Sequence, residues 1–142
     1  MQGNTHRISL SELSEFRMGV FAKLEFLTEY AEAVTSGLLE AHLRGAHKQG
    51  AGRLPIYVKR IKLGFINNKP DAKAVTETSG SAILHGDHGI GHYAVSKGMD
   101  LAIDKAEANG VGAVGVRNSA HFGVAARYGR LLRAGRGTDK ND

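Results

Sequence analysis

The sequence contains no cysteine, which excludes a disulfide, a thiolate nucleophile and a cysteine-ligated zinc, and leaves a reducing, cytoplasmic setting as the expectation. Aromatic residues make up only 6% of the chain, and no stacking motif for single-stranded nucleic acid is present. No apolar run approaches the roughly 18 residues needed to span a membrane. The start, "MQGNTHRISLSEL", is too polar to read as a signal peptide. No G-x-S-x-G, G-x-x-x-x-G-K or H-E-x-x-H occurs, so simple serine hydrolase, P-loop and zincin chemistries find no support.

What is present is one domain's worth of ordinary globular composition: 142 residues, 42% hydrophobic and 23% charged. The net charge is +5. Its sharpest cluster is "RLPIYVKRIK", with Arg53, Lys59, Arg60 and Lys62 around Tyr57. Elsewhere the basic residues are diffuse, so we read a solvated basic face and expect no nucleic-acid partner.

Ser9 and Glu12 have the spacing of a capping box, and Leu13, Phe16, Val20, Phe21 and Leu24 recur behind them at helical period. A second helix is expected after Thr28, with Tyr30, Ala31, Val34, Leu38 and Ala41 on one face and Gly45 as its stop. "GAHKQGAG" reads as a loop, and a short helix with Pro55 in its first turn runs to Lys62 and Gly64. Residues 65–80 read as an extended connection. "SAILHGD" predicts a strand, His92 to Asn109 a helix, "VGAVGV" a buried strand, and Val124 to Leu132 a final helix. The order is α/β, with a helical N-terminal arm.

Gly110, Gly112 and Gly115 fall at the G-x-G-x-x-G spacing of a dinucleotide-binding turn. Such a turn joins a strand to a following helix, so that the pyrophosphate meets the helix N-terminus. Here Gly110 closes a helix and a strand follows. The glycines therefore predict a helix cap and close helix–strand packing, not a cofactor turn. His85, His88 and His92 have spacings a metal would accept, with Asp87 the one further donor. The intervening "GDHGIG" is irregular, and a histidine-rich loop without metal is the expectation.

Two residues carry candidate chemistry. His121, in "NSAHFG" at a strand's end, titrates near neutrality and suits passing a proton to or from an oxygen. Arg53, four residues before Tyr57, has a planar fork that matches a carboxylate. Each also has a plainer reading, a histidine bonded to backbone at a helix start and a surface arginine.

Taken together, "ISLSEL", "LLEAHLRGAHKQGAGRLPIYVKRIKLGFIN" and "HGDHGIGHYAVSKGMDLAIDKAEANGVGAVGVRNSAHFG" resemble the malate/L-lactate dehydrogenase family that lacks a Rossmann fold. Its members include L-sulfolactate and ureidoglycolate dehydrogenases and piperideine-2-carboxylate reductase. The resemblance implies a family-specific α/β fold binding NAD or NADP, usually in a homodimer. It also implies hydride transfer to or from the 2-carbon of a small 2-hydroxy or 2-oxo acid. By the same resemblance His121 is the acid/base or a cofactor contact, Phe122 and Gly123 lie at the cofactor, and Arg53 and Tyr57 face the substrate.

Two departures accompany it. Where the family reads R-G-x-D-S-H-G, this chain reads "RGAHKQG", with His47, Lys48 and Gln49. The motif histidine, a proposed proton donor, is thus Gln49, which can hydrogen-bond a carbonyl but not release a proton near neutral pH. His47, two positions away, is the one nearby substitute. Family members are also more than twice as long. We therefore expect a truncated fold, with a helical substrate-side region at 1–64, part of a cofactor domain at 65–135 and an unrelated polar tail at 136–142. Such a chain is expected to be weakly active or inactive. The alternative is a non-catalytic interaction module that pairs with a full-length paralogue.

Overall fold

The computed structural model describes residues 8–135; the polar tail expected at 136–142 lies outside them. The capping box forms as the sequence requires. Glu12 N–H donates to Ser9 Oγ at 3.2 Å and Ser9 N–H to Glu12 Oε2 at 2.9 Å, starting helix α1 at Leu10–Lys23. α2, Thr28–Leu43, buries Tyr30, Ala31, Val34, Leu38 and Ala41, the face its periodicity predicts. Gly45 ends that segment at φ 76°, a conformation that glycine adopts without a Cβ penalty. Two 3-10 turns, His47–Gln49 and Ala51–Arg53, then lead into α3, Leu54–Lys62.

The main core joins these helices. Phe21, Phe26, Tyr30, Val34, Leu38, Tyr57, Ile66 and Ile90 form one buried cluster, each apolar side chain contributing about 1.5–3 kcal/mol by leaving water. The α1 stripe is only partly used: Phe21 is buried, whereas Phe16 is 61% exposed. Arg17 on the same helix is fully enclosed with no hydrogen-bond partner among the described residues, and nothing in the structure explains it.

Residues 65–80 are not wholly a connection, since Lys73–Glu77 forms strand β1. It pairs antiparallel with β2, Ser81–His85, with a register shift between Ala74 and Thr76. β1 escapes a periodicity reading because its side chains are almost all exposed. Helix α4, Gly91–Asn109, carries the chain across to β3, Ala113–Arg117, which lies parallel to β2. The sheet order is β1-β2-β3. α5, Ala126–Gly135, begins two residues later than periodicity suggests. No helix among the described residues is long and apolar enough to cross a membrane.

The glycine pattern sits as the helix-to-strand reading requires. Gly110 caps α4 at φ 81°, and a Cβ on Gly112 would collide with the Ala102 carbonyl of that helix. The parallel β2–α4–β3 unit brings the ends of both strands to one edge, where open α/β sheets place their sites. Backbone bonds stitch the two loops there. Gly86 N–H donates to Arg117 O at 2.8 Å, His88 N–H to Asn118 O at 2.7 Å, Ala120 N–H to Gly89 O at 2.9 Å and Gly91 N–H to His121 O at 3.0 Å. The last of these fixes the backbone of His121.

Candidate active site

Four side chains converge where that loop meets the helical region. His121 Nδ1 lies 2.6 Å from the Tyr57 hydroxyl, and its Nε2 lies 2.5 Å from Gln49 Oε1. Arg53 Nη2 approaches the same Gln49 oxygen at 3.4 Å, while Arg53 Nε donates to the Lys48 carbonyl at 3.2 Å. Gly123 N–H reaches His121 Nδ1 at 3.3 Å. The short 3-10 turns and the first turns of α3 therefore deliver Gln49 and Arg53 to the Nε2 side of the imidazole and Tyr57 to its Nδ1 side, and the β3 loop delivers the imidazole itself.

The electrostatics follow from burial. Tyr57 is almost fully buried, which pushes its hydroxyl well above the ordinary tyrosine range despite the opposing charge of Arg53. Desolvation, and then the Arg53 guanidinium, hold His121 below the ordinary histidine value. Near neutral pH the pair is thus a protonated phenol and a neutral imidazole. Gln49, Arg53 and His121 are only partly buried, so this edge stays open to a small molecule.

His92 completes the cluster and was not legible as part of it. Its ring is fully buried and lies 6.0 Å from that of His121 and 6.3 Å from that of Tyr57, centre to centre. Neither ring nitrogen has a hydrogen-bond partner among the described residues. The three histidines weighed for metal do not converge. His85 accepts the Asp87 N–H at 3.0 Å and meets Asn118 Nδ2 at 2.7 Å, whereas His92 points to the His121 cluster. Among the described residues no group of three metal-ligating side chains forms. His47 packs instead against His42, its Nδ1 3.3 Å from that of His42.

The family model for malate/L-lactate dehydrogenase matches residues 8–135. The chain belongs to that family. It is 42% identical to L-sulfolactate dehydrogenase of Methanocaldococcus jannaschii over 112 residues, covering 79% of this chain and 33% of that one. Against malate dehydrogenase of Pyrococcus abyssi it is 42% identical over 125 residues, covering 88% and 34%. The crystal structure of malate dehydrogenase from Entamoeba histolytica superposes with a TM-score of 0.89 at 38% identity, over 93% of this chain and 37% of that one. The chain thus spans about a third of the length of the relatives it matches. In this chain Gln49 lies between Arg53 and His121.

Phe122 tests how far the described residues fit a nicotinamide cofactor. Its half-exposed ring lies 25° from parallel with the His121 imidazole, giving a flat apolar wall beside the titratable group. The nearby glycines do not offer a phosphate cradle, because protein already fills them. A Cβ on Gly89 would come 2.5 Å from Pro70, and one on Gly91 would come 2.8 Å from Phe122 Cβ. Among the described residues this site therefore offers a flat apolar surface but no glycine cradle for a phosphate.

Proposed function

We propose that this chain carries the acid-binding and proton-handling side of a site for NAD- or NADP-dependent interconversion of small 2-hydroxy and 2-oxo acids. The observation that carries the reading is the run Arg53–Gln49–His121–Tyr57, a carboxylate-binding fork within one side chain of a half-buried imidazole. Arg53 binds the carboxylate through its guanidinium. His121 faces the substrate oxygen at Nε2, hydrogen-bonds it there while neutral and, as the imidazolium, gives it a proton. Tyr57 holds the imidazole from its other nitrogen. Phe122 and Gly123 would hold the nicotinamide, which would supply or take the hydride.

Oxamate, a 2-oxo acid analogue, tests the reading. Calorimetric titration into the full chain should show binding that Arg53→Leu weakens roughly tenfold or more, the loss of a charge-assisted hydrogen bond of about 1.5–3 kcal/mol. Equal binding by the two proteins would remove Arg53 from the acid site. Enzyme-like turnover of malate or lactate by the chain alone would overturn the low-activity expectation.

An interaction module is the second reading, and one surface favours it. Phe16, Val20, Leu54, Pro55, Val58 and Leu63 line an apolar groove of about 700 Å³ between α1 and α3, flanked by Lys59 and Lys62. Pairing with a second copy through this groove makes sedimentation concentration-dependent, and Phe16→Glu then gives a monomer.

A further inference from the structure

The contacts around His121 determine which way each hydrogen bond runs. Arginine can only donate, so the Gln49 atom facing Arg53 Nη2 is the carbonyl oxygen. An amide oxygen only accepts, so His121 Nε2, 2.5 Å from that oxygen, carries the hydrogen. The neutral imidazole then has its lone pair on Nδ1, where the Gly123 N–H and the Tyr57 O–H both arrive as donors. All four contacts are satisfied by one tautomer.

In this arrangement an oxygen already lies between the Arg53 guanidinium and the His121 Nε2–H. That is where an acid held by Arg53 would place an oxygen of its own. We propose that the Gln49 carbonyl is an internal stand-in for the substrate oxygen, closing the site until an acid displaces it. The inference rests on the reading of this site as one for 2-oxo and 2-hydroxy acids. The displacement occurs in the side chain and not the backbone. The turn ends at Gly50, which is buried so tightly on α2 that a Cβ there would come 2.8 Å from the His42 nitrogen.

Displacing Gln49 breaks contacts to both Arg53 and His121. A carboxylate oxygen in the same place restores both, and a 2-oxo acid brings a further oxygen acceptor beside it. Gln49 therefore competes with any acid for this position and weakens binding overall.

Two readouts on the full chain test this, one without ligand. In 15N-labelled protein a protected ring N–H should be found on His121 Nε2, and Gln49→Ala should lose it to solvent exchange. Oxamate should bind Gln49→Ala roughly 3- to 10-fold more tightly than the parent, the worth of one hydrogen bond removed from competition. Gln49→Glu, whose carboxylate holds Arg53 more firmly, should bind it more weakly. A merely structural glutamine would not move the two variants in opposite directions. Absence of the Nε2–H in the parent, or weakening of oxamate in both variants, overturns the proposal. If the ring N–H behaves as expected and neither parent nor Gln49→Ala takes oxamate, the acid-site reading fails while the Gln49 contact stands.

Discussion

His92 of α4 and Gly123 of the β3 loop pack so closely that a Cβ on Gly123 would come 2.6 Å from His92 Nε2. Gly37 of α2 closes the same ring from another side, since a Cβ there would collide with His92 Cδ2. One imidazole thus wedges the helical region, the parallel unit and the loop carrying His121 together. The site's geometry depends on two glycines that leave room for this ring.

A methyl group at either glycine should act through this wedge. Gly37→Ala should cost about 1–3 kcal/mol by overpacking an interior that cannot expand. Gly123→Ala should cost about 2–4 kcal/mol, because it adds to the clash the strain of φ 85°. Urea denaturation measures both, and a variant within 0.5 kcal/mol of the parent, a threshold of roughly the usual surface-substitution effect, would show that the ring yields freely.

The wedge also sets an acid limit on stability. Burial, followed by His121 and Arg127, lowers His92 from 6.5 to about 3. Below about pH 6.5 the unfolded chain binds a proton there that the folded protein refuses. Stability from this group is complete above 6.5 and falls as pH drops toward 3, at about 1.4 kcal/mol per pH unit. Unfolding midpoints taken between pH 7 and pH 4 should therefore decline more gently in His92→Leu than in the parent. Parallel declines would show that His92 is not held neutral.

How much of this was readable from the sequence depends on what each residue answers to. Ser9 with Glu12, and the α2 face from Tyr30 to Ala41, obey local periodicity and capping, so they could be read directly. Gly110 was legible as a cap because its order, helix then strand, contradicts a cofactor turn. β1 was not, because its exposed residues have no buried face to alternate against. Arg53, Tyr57 and His121 could be named from motif resemblance, but their meeting depends on α3 docking beside the β3 loop. His92 looked like a metal-spaced loop histidine. Its role comes from Gly37 and Gly123, 55 positions before it and 31 after it in the chain, and no local pattern announces such a contact.

Tyr57 should tune His121. Its hydroxyl donates to Nδ1 and so favours the neutral imidazole. Tyr57→Phe removes that donor, leaving Gly123 alone at Nδ1, and the His121 pKa should rise. The variant should also lose about 1 kcal/mol of stability. Ring-proton NMR titration reads the pKa directly, and a fall instead of a rise would mean that the hydroxyl accepts and the tautomer is the reverse.

Glu40 should hold the site loop from behind. Its carboxylate accepts from Arg127 at 3.1 Å and Arg130 at 2.8 Å on α5, and from Arg44 at 3.1 Å at the C-cap of its own helix. Arg130 is exposed and adds little, whereas Arg127 and Glu40 are largely enclosed, so the pair between them dominates. α5 in turn carries Tyr128, whose hydroxyl donates to the Phe122 carbonyl beside His121. Glu40→Gln should leave Arg127 without its counter-charge and destabilise α5 by about 1–3 kcal/mol. Hydrogen exchange should quicken first at residues 126–130 and next at the Gly123 amide, while α1 is unaffected. Uniform acceleration along the chain would mean that Glu40 supports the whole fold and not this one element.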